Sequence, residues 1–181
     1  MFRIFAYFLT FVILIYFFPA NSQSLGQSTG LKIPRYVSLK SNDSNIRIGS
    51  SKNYPIILKY ILKNIPLEIT DEYGNWRKVI DFEKNEGWLH SSLIKAERFG
   101  IIFSPYEESV QVLKKPEGRV IGKIGKRNVV KIERCLKKWC LISINKNKGW
   151  ISKINLWGVY EDEIINIPFY QPLTNQLWKL N

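Results

Sequence analysis

Apolar and polar positions alternate with a period of two along most of the chain from Tyr36 to Ile151. Successive side chains of a strand point to opposite faces, so this alternation marks half-buried strands. The runs are short: 37–40, 45–48, 67–71, 75–82 and 87–89, then 100–103, 109–113, 120–124, 128–134, 138–144 and 149–151. Turn formers separate them, at Ser41-Asn42-Asp43-Ser44, Gly49 to Pro55, Glu72-Tyr73-Gly74, Glu83 to Glu86, Ser104-Pro105-Tyr106, Lys114 to Gly118 and Asn145-Lys146-Asn147. Gly, Asn, Asp, Ser and Pro supply φ values and local hydrogen bonds that strands cannot use. No helical period interrupts the pattern, and the expected fold class is all-β.

Within the pattern one phrase occurs twice. Lys84-Asn85-Glu86-Gly87-Trp88-Leu89 returns 62 residues on as Lys146-Asn147-Lys148-Gly149-Trp150-Ile151. A second tryptophan precedes that of each copy, Trp76 lying 12 residues before Trp88 and Trp139 lying 11 before Trp150. Such self-similarity means internal duplication. Five or six closely spaced strands per copy predict one small barrel each, which also removes the unpaired edges of an open sheet. A domain this small buries only about 60% of its unfolded surface, so two packed side by side support one another. The first barrel is expected over 35–96 and the second over 97–160.

The ends differ in character. Arg3 is the only charge before an apolar run from Ile4 to Phe18, followed by Pro19-Ala20-Asn21-Ser22. This reads as a signal peptide over 1–22, cleaved after Ser22. An uncleaved anchor is the rival reading, although the run falls short of the roughly 20 apolar residues of a spanning helix. Residues 23–34 are polar and aperiodic and read as a flexible linker. The segment 161–181 carries Phe169, Tyr170 and Trp178 and is expected to pack on a domain.

Charge is placed unevenly. Val37 to Leu93 holds 8 basic and 7 acidic residues, whereas Lys114 to Lys153 holds 13 basic and 2 acidic. In an exported protein this basic second repeat fits an anionic surface such as lipid headgroups, wall polymers or acidic proteins, and nucleic acid is not expected there. A chain rich in Ile, Lys and Asn also spells its surface with lysine for compositional reasons, and both readings stand.

Pro34 to Lys40, Asn45-Ile46-Arg47-Ile48-Gly49, Tyr54-Pro55-Ile56, Asn75-Trp76-Arg77-Lys78-Val79 and Glu86 to Leu93 together resemble the bacterial SH3-like (SH3b) domain proteins of proteobacteria. The second half joins the resemblance through Cys135, Trp139-Cys140, Lys148-Gly149-Trp150-Ile151 and Leu156-Trp157-Gly158-Val159-Tyr160. The resemblance implies two tandem SH3-like β-barrels behind a signal segment. It implies a periplasmic binding module for cell-wall peptide or an envelope protein, and it supplies no catalytic residues. The family's Arg-x-Gly-Pro-Gly turn is altered here to Arg47-Ile48-Gly49-Ser50-Ser51.

Candidate chemistry is sparse. Cys135 and Cys140 flank a predicted turn, and in an oxidising compartment they read as a disulfide, since zinc needs four ligands and the single histidine, His90, is remote in sequence. Ser91 cannot pair with its neighbour His90, because adjacent strand side chains face opposite ways. Asp81, Glu83 and Glu86 read as solvated charges of a hairpin tip. No phosphate loop or metal cluster is seen, so neither catalysis nor a cofactor is expected. The four recurring tryptophans suit either a core or a groove, the latter completed by Tyr54 or Tyr106. The candidate ligand-binding residues are Tyr54, Trp76, Arg77, Trp88 and His90. They favour the first repeat because the loop from Lys115 to Arg119 lacks an aromatic.

Overall fold

The computed structural model describes residues 24–166. The expected signal peptide and the tail beyond residue 166 lie outside the described residues. Among the described residues, regular structure is entirely strand apart from two single 3-10 turns, Ser91–Leu93 and Lys153–Asn155.

A short hairpin, β1 (Ser24–Leu25) with β2 (Lys32–Ile33), leads into the first domain. That domain comprises β3 (Arg35–Leu39), β4 (Ser44–Arg47), β5 (Ile56–Tyr60), β6 (Pro66–Tyr73), β7 (Trp76–Ile80), β8 (Glu86–His90) and β9 (Ile94–Lys95). The second comprises β10 (Phe99–Ile102), β11 (Ser109–Leu113), β12 (Val120–Gly125), β13 (Val129–Cys135), β14 (Trp139–Ile144), β15 (Asn147–Ser152) and β16 (Leu156–Trp157). The sheets run β5-β4-β8-β7-β6-β3-β9 and β12-β11-β15-β14-β13-β10-β16. Strand for strand, the two orders are the same, and the duplication read from the sequence is a duplication of topology.

Alternation builds each core. Val37, Leu39, Ile46, Leu67, Ile69, Val79 and Leu89 fill the first domain. Ile102, Val110, Ile124, Val130, Ile132, Ile142 and Ile151 fill the second. Each fully buried aliphatic side chain contributes about 1.5–3 kcal/mol relative to exposure. The first core is completed by Ile33 from the leading hairpin, and the second by Ile165 from the segment after β16.

Two expectations need correction. Residues 24–33 are not a loose linker, because the hairpin folds over the buried carboxylate of Glu72. The backbone N–H groups of Ser28 and Thr29 donate to Glu72 Oε2 at 3.2 and 2.9 Å, and the Thr29 hydroxyl donates to Oε1 at 2.8 Å. The strand β5 is absent from the alternation pattern because it opens an almost unbroken apolar run, with Ile56 and Ile57 exposed on the edge strand and Ile61 and Leu62 exposed just beyond it.

The domains meet through aromatic rings. Tyr36 of β3 lies 5.2 Å from Trp157 and 4.7 Å from Tyr160, and Phe82 lies 5.8 Å from Phe103. The Tyr160 hydroxyl donates to Glu68 at 2.8 Å, and the Phe99 N–H donates to the Ser38 hydroxyl at 3.2 Å. At Gly158 the chain turns with φ +110° against Phe99, where an added Cβ would come within 2.7 Å of the Phe99 carbonyl oxygen. Only glycine meets both conditions at this crossing.

Candidate ligand-binding clefts

Strand parity places the tryptophans. In β7, Arg77 and Val79 point inward, leaving Trp76 and Lys78 on the outer face; in β8, Gly87 and Leu89 point inward, leaving Trp88 and His90 outside. The register pairs Trp76 with His90 and Lys78 with Trp88. In β14 and β15, Trp139 lies opposite Ser152 and Trp150 opposite Leu141, again on the outer face. All four indoles are half-buried, and none belongs to either core cluster.

Trp76 and His90 form the sharpest arrangement. Their rings meet edge to face at 5.4 Å and 87°. They line an open cleft of about 440 Å³ together with Ser50, Ser51, Lys52 and Tyr73. The Ser92 N–H donates to His90 Nδ1 at 3.3 Å, and that ring nitrogen lies 2.8 Å from the Ser92 hydroxyl. With Nδ1 accepting, the proton is assigned to Nε2, which is left as the ring's donor.

The remaining candidates lie elsewhere. Tyr54 is 48% exposed, packs its ring on Gly49, and accepts from Arg47 through its carbonyl oxygen at 2.6 Å. Neither Tyr54 nor Trp88 lines the cleft at Trp76. The expected contact from Arg77 is corrected: on the opposite face of β7 from Trp76, its side chain is buried against Glu72, with Nε 3.4 Å from Oε1. Its Nη1 donates to the carbonyl oxygens of Gly74 and Trp76, each at 2.8 Å.

Asp81 is also not a solvated charge. It is buried and accepts from the Tyr60 hydroxyl at 2.5 Å and from the N–H groups of Glu83 and Asn85 at 2.9 and 2.8 Å. It is the organising residue of the β7–β8 loop. Burial, then the hydrogen bond to Asp81, pushes the Tyr60 hydroxyl well above its ordinary pKa. Glu83 pairs with Arg127 across the domains at 3.2 Å, and Glu86 pairs with Lys78.

The second domain has a cleft of its own, of about 390 Å³, lined by Pro105, Tyr106, Leu113, Trp139, Ser152 and Ile154 among others. Tyr106 is 95% exposed and Ile154 80%. The aromatic missing from the Lys115–Arg119 loop is thus supplied by the loop between β10 and β11. The sequence signal was Tyr106 itself, set between Pro105 and a polar stretch. Aliphatic side chains, Leu113 and Ile154 among them, line this cleft and not the first, and Ser152 stands where His90 stands in the first.

Cys135 and Cys140 are joined in a disulfide, with Cα atoms 4.1 Å apart. Among the described residues, no group of three or more His, Cys, Asp or Glu is placed to hold a metal ion.

Residues 40–95 and 115–158 both match the family model of the bacterial SH3 domain. No curated protein matches the chain. Among solved structures, the crystal structure of an NlpC/P60 family protein from Bacillus cereus ATCC 10987 aligns at 9% identity with a TM-score of 0.30, over 77% of this chain and 61% of that one. That likeness is too slight to carry function across. The family match takes in more than half of the chain and falls once in each of the two sheets; the protein belongs to the bacterial SH3 domain family, as a tandem of two such domains.

Proposed function

We propose that this chain is a non-enzymatic binding protein of the bacterial envelope, exported to the periplasm, which takes a peptide-containing ligand in the clefts at Trp76 and Trp139. The ligand is a cell-wall stem peptide or a segment of an envelope protein. The reading rests on family membership, since bacterial SH3 domains are binding domains of wall components, and on the disulfide, which belongs to an oxidising compartment.

The observation that carries it is the edge-to-face pair of Trp76 and His90 on the outer surface of β7 and β8. A half-buried indole held by its neighbour offers large contact area at low entropic cost, and such residues dominate binding energy. In the first cleft Lys52 and the Nε2–H of His90 meet ligand carboxylates or carbonyls while Trp76 covers the apolar part. In the second, Tyr106, Trp139 and Ile154 take a more apolar stretch. Retention of the exported protein on purified sacculi tests the reading, with the cleft variants Trp76→Ala and Trp139→Ala as controls. Retention only when other envelope proteins are present would favour the protein segment as ligand.

A further inference from the structure

The internal duplication supplies a control for every position, and it exposes one hollow. In the first domain Leu58 of β5 pairs with Ile46 of β4 and packs, half-buried, against the core. Beside it the Tyr60 hydroxyl closes on Asp81 at 2.5 Å. The same register in the second domain pairs Val112 with Gly122 and Val110 with Ile124, so Gly122 stands for Leu58 and Ile124 for Tyr60. Pairing across β7–β8 and β14–β15 likewise sets Ile144 where Asp81 follows β7. A plug, its hydroxyl latch and the latch's carboxylate are all replaced, and a cavity of about 480 Å³ opens between β12, β11 and the β14–β15 hairpin.

The apolar side chains lining this cavity are aliphatic, Val112, Ile121, Ile124, Ile142 and Ile144, and Asn147 lies beside them. Its rim has changed sign as well. Lys148 stands at the place of Glu86, both lying one residue before the buried glycine of the repeated phrase. Lys123 lines the cavity too, and among the described residues it has no carboxylate partner, unlike its counterpart Lys59, which pairs with Asp43 at 3.0 Å. Lys148 is exposed and shares Glu133 at 3.3 Å. The surrounding stretch from Lys114 to Lys153 holds 13 basic residues and 2 acidic ones.

We propose that the open end of the second barrel binds the acyl chain of an anionic amphiphile, with the chain among the isoleucines and the head at Lys123 and Lys148. The volume lies in the range of small-molecule pockets, about 300–1,000 Å³, which are mostly apolar with a few placed polar groups. Aliphatic walls without an aromatic suit a flexible hydrocarbon chain. Lysine stems lie along apolar surface while their ammonium groups stay in water, where an anionic head would sit. The site is separate from the clefts at Trp76 and Trp139, and neither reading depends on the other.

The sister domain dictates the test. An added Cβ at Gly122 meets nothing within 4 Å, and its φ is not positive, so Gly122→Leu restores the plug without backbone strain. The full chain, with isoleucine and valine methyl groups labelled, is titrated with dodecanoate below its micelle concentration and, separately, with dodecyltrimethylammonium. Saturable shifts of Ile121, Ile124 and Ile144 are expected with dodecanoate. Gly122→Leu should weaken that binding at least tenfold with its spectrum otherwise folded, and Lys123→Glu with Lys148→Glu should erase the preference for the anionic probe. Retention on sacculi should be the same in Gly122→Leu as in the parent chain. Absence of saturable shifts, equal binding by Gly122→Leu, or equal affinity for the cationic probe overturns the proposal. So does a change in the resonances of residues 167–181 or in solution mass on Gly122→Leu alone, since the occupant would then be the chain's own tail or a second copy.

Discussion

Glu72 and Cys135 occupy the same place in their two sheets. Each lies beyond the bulge of its strand and faces the residue five positions on across a hairpin, Arg77 in the first domain and Cys140 in the second. All four are buried. A buried ion pair and a disulfide are thus alternative closures of one hairpin, and each is covered by an extra segment. The β1–β2 hairpin covers Glu72. Ile165 covers Cys135 through two backbone hydrogen bonds of 3.0 and 3.1 Å.

Glu72→Ala should cost about 3 kcal/mol or more, because removing one partner of a buried pair leaves the other charge uncompensated. Arg77 and Arg35 would both lose their carboxylate, the latter from a contact of 2.5 Å. Urea denaturation measures the loss, and limited proteolysis should cut within residues 24–33 of the variant while sparing the parent chain.

Acid should release the same hairpin. Burial alone would raise the Glu72 carboxyl, but hydrogen bonds from Arg35 and Thr29 and the charges of Arg35 and Arg77 outweigh it and hold the group below its ordinary 4.5. The folded chain therefore binds fewer protons here than the unfolded one near that pH. The stabilisation is present above about 4.5 and is lost as pH falls through the lower folded value. Protection of the Gly26 to Leu31 amides, taken relative to their intrinsic exchange rate at each pH, should fall on acidification from pH 6 to about 3, and Glu72→Gln should remove most of that dependence. Protection that falls as pH rises over the same range would contradict the assignment.

Reduction acts on the other domain. By loop-closure entropy, a loop as short as that between Cys135 and Cys140 contributes about 2 kcal/mol. Reduced protein should lose about that much, with the change in amide exchange centred on β13, β14 and Ile165. Lys153 should keep the C-terminal segment partly in place, since its buried ammonium donates to the Glu161 and Glu163 carbonyl oxygens at 2.9 and 2.7 Å.

Tyr160→Phe should cost about 1 kcal/mol, the net worth of one hydrogen bond, by removing the donor to Glu68. Tyr36→Ala should cost more, because its ring packs edge-on against Trp157 and tilted against Tyr160. If the domains depend on one another as their small size implies, one unfolding transition in the parent chain should broaden or split in Tyr36→Ala. An unchanged sharp transition would show that the interface contributes little.

Much of this was legible in the sequence. Period-two alternation placed most of the strands and the repeat announced a tandem of two β domains, because register with one buried face leaves a direct trace in residue type. The disulfide was legible for the same reason, two cysteines flanking a turn. The strand Ile56–Tyr60 was not, since an exposed edge carries no alternation. Nor was the hairpin over Glu72: its residues are polar and look solvent-bound until their N–H groups are seen to converge on one buried carboxylate. Arg77 misled because a cation beside a tryptophan suggests a ligand contact, whereas adjacent strand residues face opposite sides. Tyr106 lies in a loop, where composition is informative and position is not.

The most direct test of the binding account is retention on purified sacculi of the parent chain, Trp76→Ala, Trp139→Ala and the double variant, each first shown to be folded by circular dichroism. Outer-face tryptophans predict that all four fold alike. Losing an aromatic anchor often costs about 2 kcal/mol or more, so each single variant should bind at least about tenfold more weakly and the double variant not measurably. Undiminished retention of the double variant, or no retention of the parent chain, would contradict a peptide ligand held at these two clefts.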